Sequence, residues 1–564
     1  MGNLLKALAV ALLLPVTVVC TALTIYFGNS SELGIDLLSV LKISLAFFVF
    51  ATVVLVAVQL PFLYFFKGKA FAFVNAVILS AGYWFWLQAN VLNWDMGPLT
   101  GVIPFGQYKP YAYLELGIWF IAAILTVIFF KFLFKYSVQF ACILAVTQVF
   151  CLIPLCFQEA QTARQLKSNF AEYEYTFNHL FDYSQDKDVY VFVLDAFGSV
   201  LFDKIATEFS CNEKFKDFTY FPKQFVYYPA ATKWSLPRIL SGLDARDDRY
   251  NYVIDNNNTP EQKTFFHAAF SEKTLFDDAA GNGYECRVYS WYPLSLYWNP
   301  QSIANIKTLE QSPIGTPLWT LRASRFAGLT LFRLLPLRFK YMFYWKGLLE
   351  GNFRGMRELR KDILDGEYVP LFLGTSDIHF SERIQSIQWD FTPQHKQFKF
   401  IHLASVHGYF AVNEFMDGHS ELLVHFDAKE QDELQCESLL AMRTLKIVLS
   451  ILDTMKEKGN YDNSLIVIMS DHGIQNYSYL ETHPTAKNKP LLLVKRPLDK
   501  HDVMQRNDNP VCISDTRNAI LAELDLPRPD DAFSWFDVPA DLTEKRNAEW
   551  SAYLDYINER AQKP

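Results

Sequence analysis

Five apolar runs, each near the ~20 residues that a helix needs to cross a bilayer, crowd into the first 157 residues of the chain. They lie at about 5–27, 43–66, 70–92, 115–134 and 137–157. A chain with five such segments is expected to be integral to a membrane. The first run is longer than the core of a secretory signal and further spans follow it, so it is expected to be retained. The link between the second and third runs is "KGK", and Lys131 and Lys135 mark the turn between the fourth and fifth. The other connections are acidic or mixed. The positive-inside bias then predicts a cytoplasmic Met1 and, five being odd, an outer location for everything after about 158.

The chemistry is expected in that outer part. All eleven histidines lie at or after His179. The formal net charge of -8 argues against a dedicated nucleic-acid binder, which would show a basic domain. We expect a membrane domain at 1–157, a polar helical linker at 158–187, a catalytic domain at 188–545 and a short tail at 546–564. Cys211, Cys286, Cys436 and Cys512 fall in the outer part, and four cysteines permit three pairings.

Beyond the linker, short β-rich runs alternate with helical patterns. The runs are "DVYVFVLD" (188–195), "YECRVYSW" (284–291), "FKFIHLAS" (398–405), "SLIVIMSD" (464–471) and "PLLLVKRP" (490–497). The stretch Glu433–Lys456 is apolar at helical spacing. Continuous apolar strands separated by helices predict a mostly parallel sheet covered on both faces. Functional groups then gather at the carboxyl ends of the strands.

Two of these strands end on an acid, at Asp195 and at Asp471, and the second is followed by His472 and Gly473. Asp, Asp and His suit Zn²⁺ or Mn²⁺. A lone strand-end Asp also serves as a helix N-cap, but an imidazole adds nothing to a cap. Between them lies "YYPAATKWSLPRILSGL" (227–243), which reads as a loop feeding a helix with Pro237 in its first turn. Thr232 and Ser235 there are either a capping pair or the start of a reactive site. A helix amino end favours an anion, and a nearby metal lowers the pKa of a hydroxyl.

The ordered set of Asp195, T-x-x-S-x-P at 232–237, the His402-x4-His407 strand, S-D-H-G at 470–473 and the later His483 resembles the alkaline phosphatase superfamily. More narrowly, it is similar to the sulfatase-like membrane enzymes, the lipid phosphoethanolamine transferases and lipoteichoic acid synthases. The resemblance implies a five-span helical membrane domain followed by an α/β alkaline-phosphatase-like sandwich with a mostly parallel central sheet. It implies one divalent metal ion held by Asp195, Thr232, Asp471 and His472, with Thr232 also the nucleophile. His407 corresponds to a histidine beside a leaving or entering oxygen, and His483 to one that contacts the phosphoryl group. His402 reads as readily as a core histidine.

The sequence departs from the pattern in places. Ile474 and Gln475 stand where many relatives have an acid, the first ligand is Asp rather than Glu, and Ala231 and Arg238 replace flanking cysteines. The arginine of Ser235-Leu236-Pro237-Arg238 is one position early for a formylglycine-type sulfatase. The expected activity is therefore transfer of phosphoethanolamine or phosphoglycerol from a membrane phospholipid, through a phosphothreonine, to an envelope glycan or lipid. The bacterial plasma membrane, with a periplasmic or extracellular catalytic domain, is the implied location. A phosphodiesterase that hands the group to water is the alternative enzyme, and a catalytically silent lipid sensor the alternative outside enzymes.

One segment fits neither half. Leu321–Lys346 carries six basic residues and no acid, with Pro336 breaking any single helix. It reads either as a core helix pair with a basic outer face or as a surface element on anionic headgroups.

Overall fold

The computed structural model describes the chain except residues 1, 34, 67, 95–107, 167–172, 209–210, 228–229, 244–272, 293–299, 310–315, 341–360, 371–376, 408–432, 475–479, 481–482 and 562–564. Five long helices come first: α1 (Asn3–Leu33), α2 (Leu37–Pro61), α3 (Gly68–Asn90), α4 (Lys109–Lys135) and α5 (Ser137–Leu166). Further helices are α6 (Ser199–Glu208), α7 (Thr232–Ser241), α8 (Leu275–Gly281), α9 (Pro317–Leu334), α10 (Asp377–Ile384), α11 (Glu433–Lys458), α12 (Thr516–Glu523) and α13 (Ala540–Ala561). The strands are β1 (Tyr173–Thr176), β2 (Val189–Leu194), β3 (Thr219–Tyr220), β4 (Tyr284–Ser290) and β5 (Ile306–Thr308). After them come β6 (Tyr368–Pro370), β7 (Lys396–Leu403), β8 (Leu465–Met469), β9 (Leu492–Lys495) and β10 (Gln505–Arg506). The chain divides into two compact units, Met1–Ala171 with Glu310–Gly366, and Glu172–Leu309 with Glu367–Pro564.

In the first unit all five expected helices form, each long and apolar enough to cross a membrane. Within such a bundle, polar side chains must find partners on other helices, because lipid offers none. Asn75 donates to Gln59 Oε1 and to the Lys6 carbonyl, and Gln59 donates to the Ala7 carbonyl. Gln148 donates to Thr17 Oγ1, and Thr126 to Ser80 Oγ. Gly82 lets α3 approach α1, since a Cβ there would come within 2.8 Å of Leu13 Cδ2. The returning helix α9 also belongs to this unit. Its Phe326 is buried with Ala22, Ile25 and Tyr26 of α1 and with Ile35 and Val40. The basic segment thus packs as a protein-covered helix over its described part, and residues 341–346 lie outside the described residues.

In the second unit a seven-stranded sheet runs in the order β10-β3-β9-β8-β2-β7-β4. The pairs β8–β2, β2–β7 and β7–β4 are parallel, while β9 runs antiparallel to both β8 and β3. Every residue of β2 and β8 is buried, as a strand covered on both faces requires. Strands β8, β2, β7 and β4 point the same way, so their carboxyl ends open on one side of the sheet. That side collects Asp195, Ser290, His402 and Asp471.

The linker at 158–187 differs from its expected helical form. Helix α5 runs on to Leu166, but Tyr173–Thr176 is the middle strand of a second sheet, β5-β1-β6, antiparallel throughout. The alternation of "YEYT" explains it. Tyr175 points inward against Phe177 and Tyr289, whereas Glu174 faces out to pair with Lys307 at 3.1 Å. At the other end, α13 crosses the boundary drawn at 545. Arg546 forms two 2.6 Å bonds with Asp515, Glu549 accepts from the Tyr227 hydroxyl, and the Trp550 ring lies against Phe225. Cys286 and Cys512 are buried and form no disulfide, and the side chains of Cys211 and Cys436 lie outside the described residues.

Candidate metal centre

The segment after β8 is shaped by a close approach of backbone to backbone. Gly473 N donates to the Lys487 carbonyl at 2.8 Å, and a Cβ at 473 would lie 2.0 Å from the Ala486 oxygen. Only glycine fits, which fixes the direction in which Asp471 and His472 leave the strand. Ser470 Oγ reinforces the turn, accepting from Phe197 N at 3.0 Å and donating to the His472 carbonyl at 2.5 Å. The Asp471 carboxylate accepts from Ala196 N and His472 N through Oδ1. Its Oδ2 is buried without a hydrogen-bond partner.

The ring of His472 is held by its own backbone neighbour. Nδ1 lies 2.8 Å from the Gly473 carbonyl, which can only accept, so Nδ1 carries a proton. Nε2 then faces Asp195 Oδ1 at 3.5 Å and Asp471 Oδ2 at 3.6 Å. In the neutral ring that nitrogen is a lone pair directed at two carboxylates. Such an arrangement is repulsive unless a cation stands among the three groups.

Thr232 completes the cluster. Helix α7 begins at Thr232 itself, after Ala231 in extended conformation. Pro237, expected in the first turn, is therefore the sixth residue of the helix. Arg238 on the same helix is buried and donates to the Tyr227 carbonyl at 3.0 Å, tying down the chain that precedes the threonine. Thr232 Oγ1 donates to Asp195 Oδ2 at 2.9 Å. Asp195, Asp471 and His472 are 0% exposed and Thr232 4%.

Burial pushes the Asp195 carboxyl up, but the neighbouring His407, His402 and His472 outweigh it and hold the group below the ordinary range. Asp471 goes the other way, raised by burial and by the charge of Asp195. Two adjacent buried carboxylates thus compete for one positive charge. Asp195 Oδ1 and Asp471 Oδ2 are both buried without a hydrogen-bond partner. Together with His472 Nε2 they make an oxygen and nitrogen donor set, each offering one atom within 4.8 Å of the others. These residues fit a divalent cation.

The remaining histidines divide. His407 is half-buried, with its ring 4.8 Å from Trp291 and its Nδ1 without a partner. His483 is exposed, on the turn leading into the 3-10 turn Ala486–Asn488 that backs Gly473, and is not part of the buried cluster. His402, which sequence reasoning left open between a site and a core role, is wholly buried with Nε2 3.5 Å from Asp195 Oδ2 and Nδ1 3.1 Å from Ser290 Oγ. Its signal was its place near the carboxyl end of the predicted run 398–405, one residue before the end of β7. Tyr292 was not noticed in the sequence. Its hydroxyl is pushed up to about 12 by burial and by the charges of Asp195 and Asp471.

No protein-family model matches the chain, and no curated protein matches it. Solved structures do. The chain is similar to the lipoteichoic acid synthase LtaP from Listeria monocytogenes, at 11% identity over 67% of this chain and 92% of that one, with a TM-score of 0.36. It is similar to the phosphonate monoester hydrolase SpPMH from Silicibacter pomeroyi, at 13% identity over 63% and 78% of the two chains, TM-score 0.33. The soluble domain of lipooligosaccharide phosphoethanolamine transferase A from Neisseria meningitidis is also similar, at 12% identity over 62% and 91%, TM-score 0.32.

Proposed function

We propose that the chain is a membrane-bound, metal-dependent transferase of the alkaline phosphatase superfamily. It moves a phospho-alcohol group, phosphoethanolamine or phosphoglycerol, from a membrane phospholipid to an envelope glycan or lipid. The observation that carries this reading is Thr232, a hydroxyl at the first residue of a helix, hydrogen-bonded to Asp195 within a buried set of two carboxylates and an imidazole. The five apolar helices add that substrate and enzyme share a membrane, since one anchor would serve a soluble substrate. From the loop charges we place Met1 in the cytoplasm and the α/β unit outside a bacterial plasma membrane.

Asp195, Thr232, Asp471 and His472 would hold one divalent ion, zinc or manganese. When bound, it supplies positive charge toward the phosphoryl oxygens and makes the threonine hydroxyl more acidic. Thr232 gives up its proton toward Asp195 Oδ2, and its oxygen attacks the phosphorus of the donor diester. The bond from phosphorus to the diacylglycerol oxygen breaks, and that oxygen takes a proton from His407. An acceptor hydroxyl then returns a proton to His407 and attacks the same phosphorus, and the bond to Thr232 Oγ1 breaks as that oxygen takes its proton back from Asp195 Oδ2. The amino end of α7 favours the anionic group while it resides on the threonine. His483, exposed beside the Gly473 turn, is assigned to the phosphoryl group of the entering substrate.

The test is the intact mass of the purified full chain after incubation with phosphatidylethanolamine or phosphatidylglycerol, beside Thr232→Ala, with diacylglycerol release followed in parallel. An adduct of phosphoethanolamine or phosphoglycerol mass, absent in the variant, is expected. Diacylglycerol release with equal free phospho-alcohol and no acceptor dependence would make the protein a hydrolase. Neither adduct nor diacylglycerol from metal-loaded protein sinks the phospholipid-donor reading.

A further inference from the structure

The segment Glu310–Gly366 leaves the α/β unit in sequence and joins the helix bundle. Helix α9 starts at Pro317 behind a Thr316 cap and ends at Leu334, and Pro336 opens a further turn through 337–340. This turn meets the carboxyl end of α3 and the start of α4. Leu337 N donates to Glu115 Oε2 at 2.5 Å, and Glu115 Oε1 accepts from Trp94 Nε1 at 2.6 Å and Gln88 Nε2 at 3.3 Å. Arg333 Nε donates to the Ala89 carbonyl at 3.0 Å. Lys340 is 0% exposed, yet its Nζ reaches only Asn93 Oδ1, at 3.4 Å, above the Phe332 ring at 5.4 Å.

Among the described residues the charges here do not balance. Two cations act on one another here, Arg333 and Lys340, and the carboxylate nearest Lys340, Glu115, already serves three neutral donors. Among the described residues no carboxylate pairs with Lys340 or Arg333, and Glu115 acts on Lys340 only at longer range. Burial pulls the Lys340 ammonium down to about 8, which still leaves it charged at neutral pH. A buried charge with one long hydrogen bond is costly unless an anion approaches it. The surroundings suit a membrane–water boundary, where tryptophan and tyrosine gather. The Trp94 and Tyr111 rings lie 4.5 Å apart, and Trp119 Nε1 donates to Gln88 Oε1 at 2.9 Å. Arg338 and Phe339 are exposed beside them.

We propose that Arg333 and Lys340 form a binding site for the phosphodiester of a phospholipid headgroup, at the end of the bundle where α3 stops and α4 begins. The ligand supplies the missing anion: its non-bridging oxygens accept from the Lys340 ammonium and the Arg333 guanidinium, while the acyl chains follow the apolar helices. From the preceding section the site takes only that the helices lie in a bilayer. Its success or failure is therefore separate from the chemistry of Thr232.

The experiment is native mass spectrometry of the full chain, delipidated in detergent and titrated with phosphatidylglycerol, phosphatidylethanolamine or inorganic phosphate. Wild type is compared with the double variant Arg333→Gln, Lys340→Met. The wild type is expected to retain one lipid, and the double variant to bind it at least about tenfold more weakly. Should the double variant fail to fold, Lys340→Arg keeping the lipid while Lys340→Gln loses it decides in favour. Equal retention by folded wild type and variant overturns the site. Saturable binding of inorganic phosphate with no bound lipid also overturns it, leaving a free-phosphate site in its place.

Discussion

At the scale of single residues, the acid–imidazole–glycine triplet was readable because each member is out of place at the end of a buried strand. In the structure a Cβ at Gly473 would fall 2.0 Å from the Ala486 oxygen, which excludes any other residue there, and the His472 Nδ1 bond to the Gly473 carbonyl aims Nε2 at two carboxylates. His402 was not readable in the same way. A histidine near the end of an apolar strand has two faces to choose from, and only the sheet register decides. His402 lies between Val193 and Ser290, which sets one ring nitrogen on the Ser290 hydroxyl and the other near Asp195. Partners that orient a metal ligand typically matter by 10–100-fold. His402→Ala is therefore expected to lose about 10–100-fold in kcat/KM and to need more metal for half-activation, whereas His379→Ala changes neither. Unchanged metal dependence in His402→Ala would return this histidine to a packing role.

Among the elements, strands β2 and β8 were the most legible, because burial on both faces leaves them no charged residue to blur the run. Strand β1 was not, since four alternating residues inside a long polar stretch carry too little pattern to outvote the helix that precedes them. Strand β9 carries a titration of its own. Lys495 Nζ donates to the carbonyls of Asp462, Ser464 and Arg496, and burial holds its pKa down to about 8 against the ordinary 10.5. The unfolded chain therefore binds this proton more tightly than the folded one between those values. Stability contributed by this site rises as pH goes from about 8 toward 10.5 and is flat below 8. Urea unfolding of the wild type and Lys495→Met across that range checks the sign. The stability of the wild type minus that of the variant is expected to rise with pH across this window, and a difference that stays constant counts against it.

For the whole molecule, the division into an apolar first part and a histidine-bearing second part was plain in the sequence, since the two solvents select different compositions. What the sequence concealed is that residues 310–366 leave the second unit for the first. Their amphipathic, basic pattern is the same whether lipid or protein covers the apolar side. Metal removal provides a test of global stability. Without a cation, Asp195 and Asp471 face each other unneutralised, and a ligand present at 100–1,000 times its Kd adds about 3–4 kcal/mol to folding. Chelation followed by thermal unfolding should lower Tm, and zinc or manganese should restore it. A demonstrably metal-free protein that melts at the original temperature would falsify the metal assignment.

The return of α9 to α1 also sets an order of events during synthesis. Helix α1 ends at Leu33, and the residue that covers its far end, Phe326, lies nearly 300 positions later. At ~5–20 residues per second, the ribosome needs roughly 15–60 s to make the intervening chain. Throughout that interval Ala22, Ile25 and Tyr26 must be sheltered by lipid or by the insertion machinery. The first helix to enter the bilayer is thus among the last to be finished.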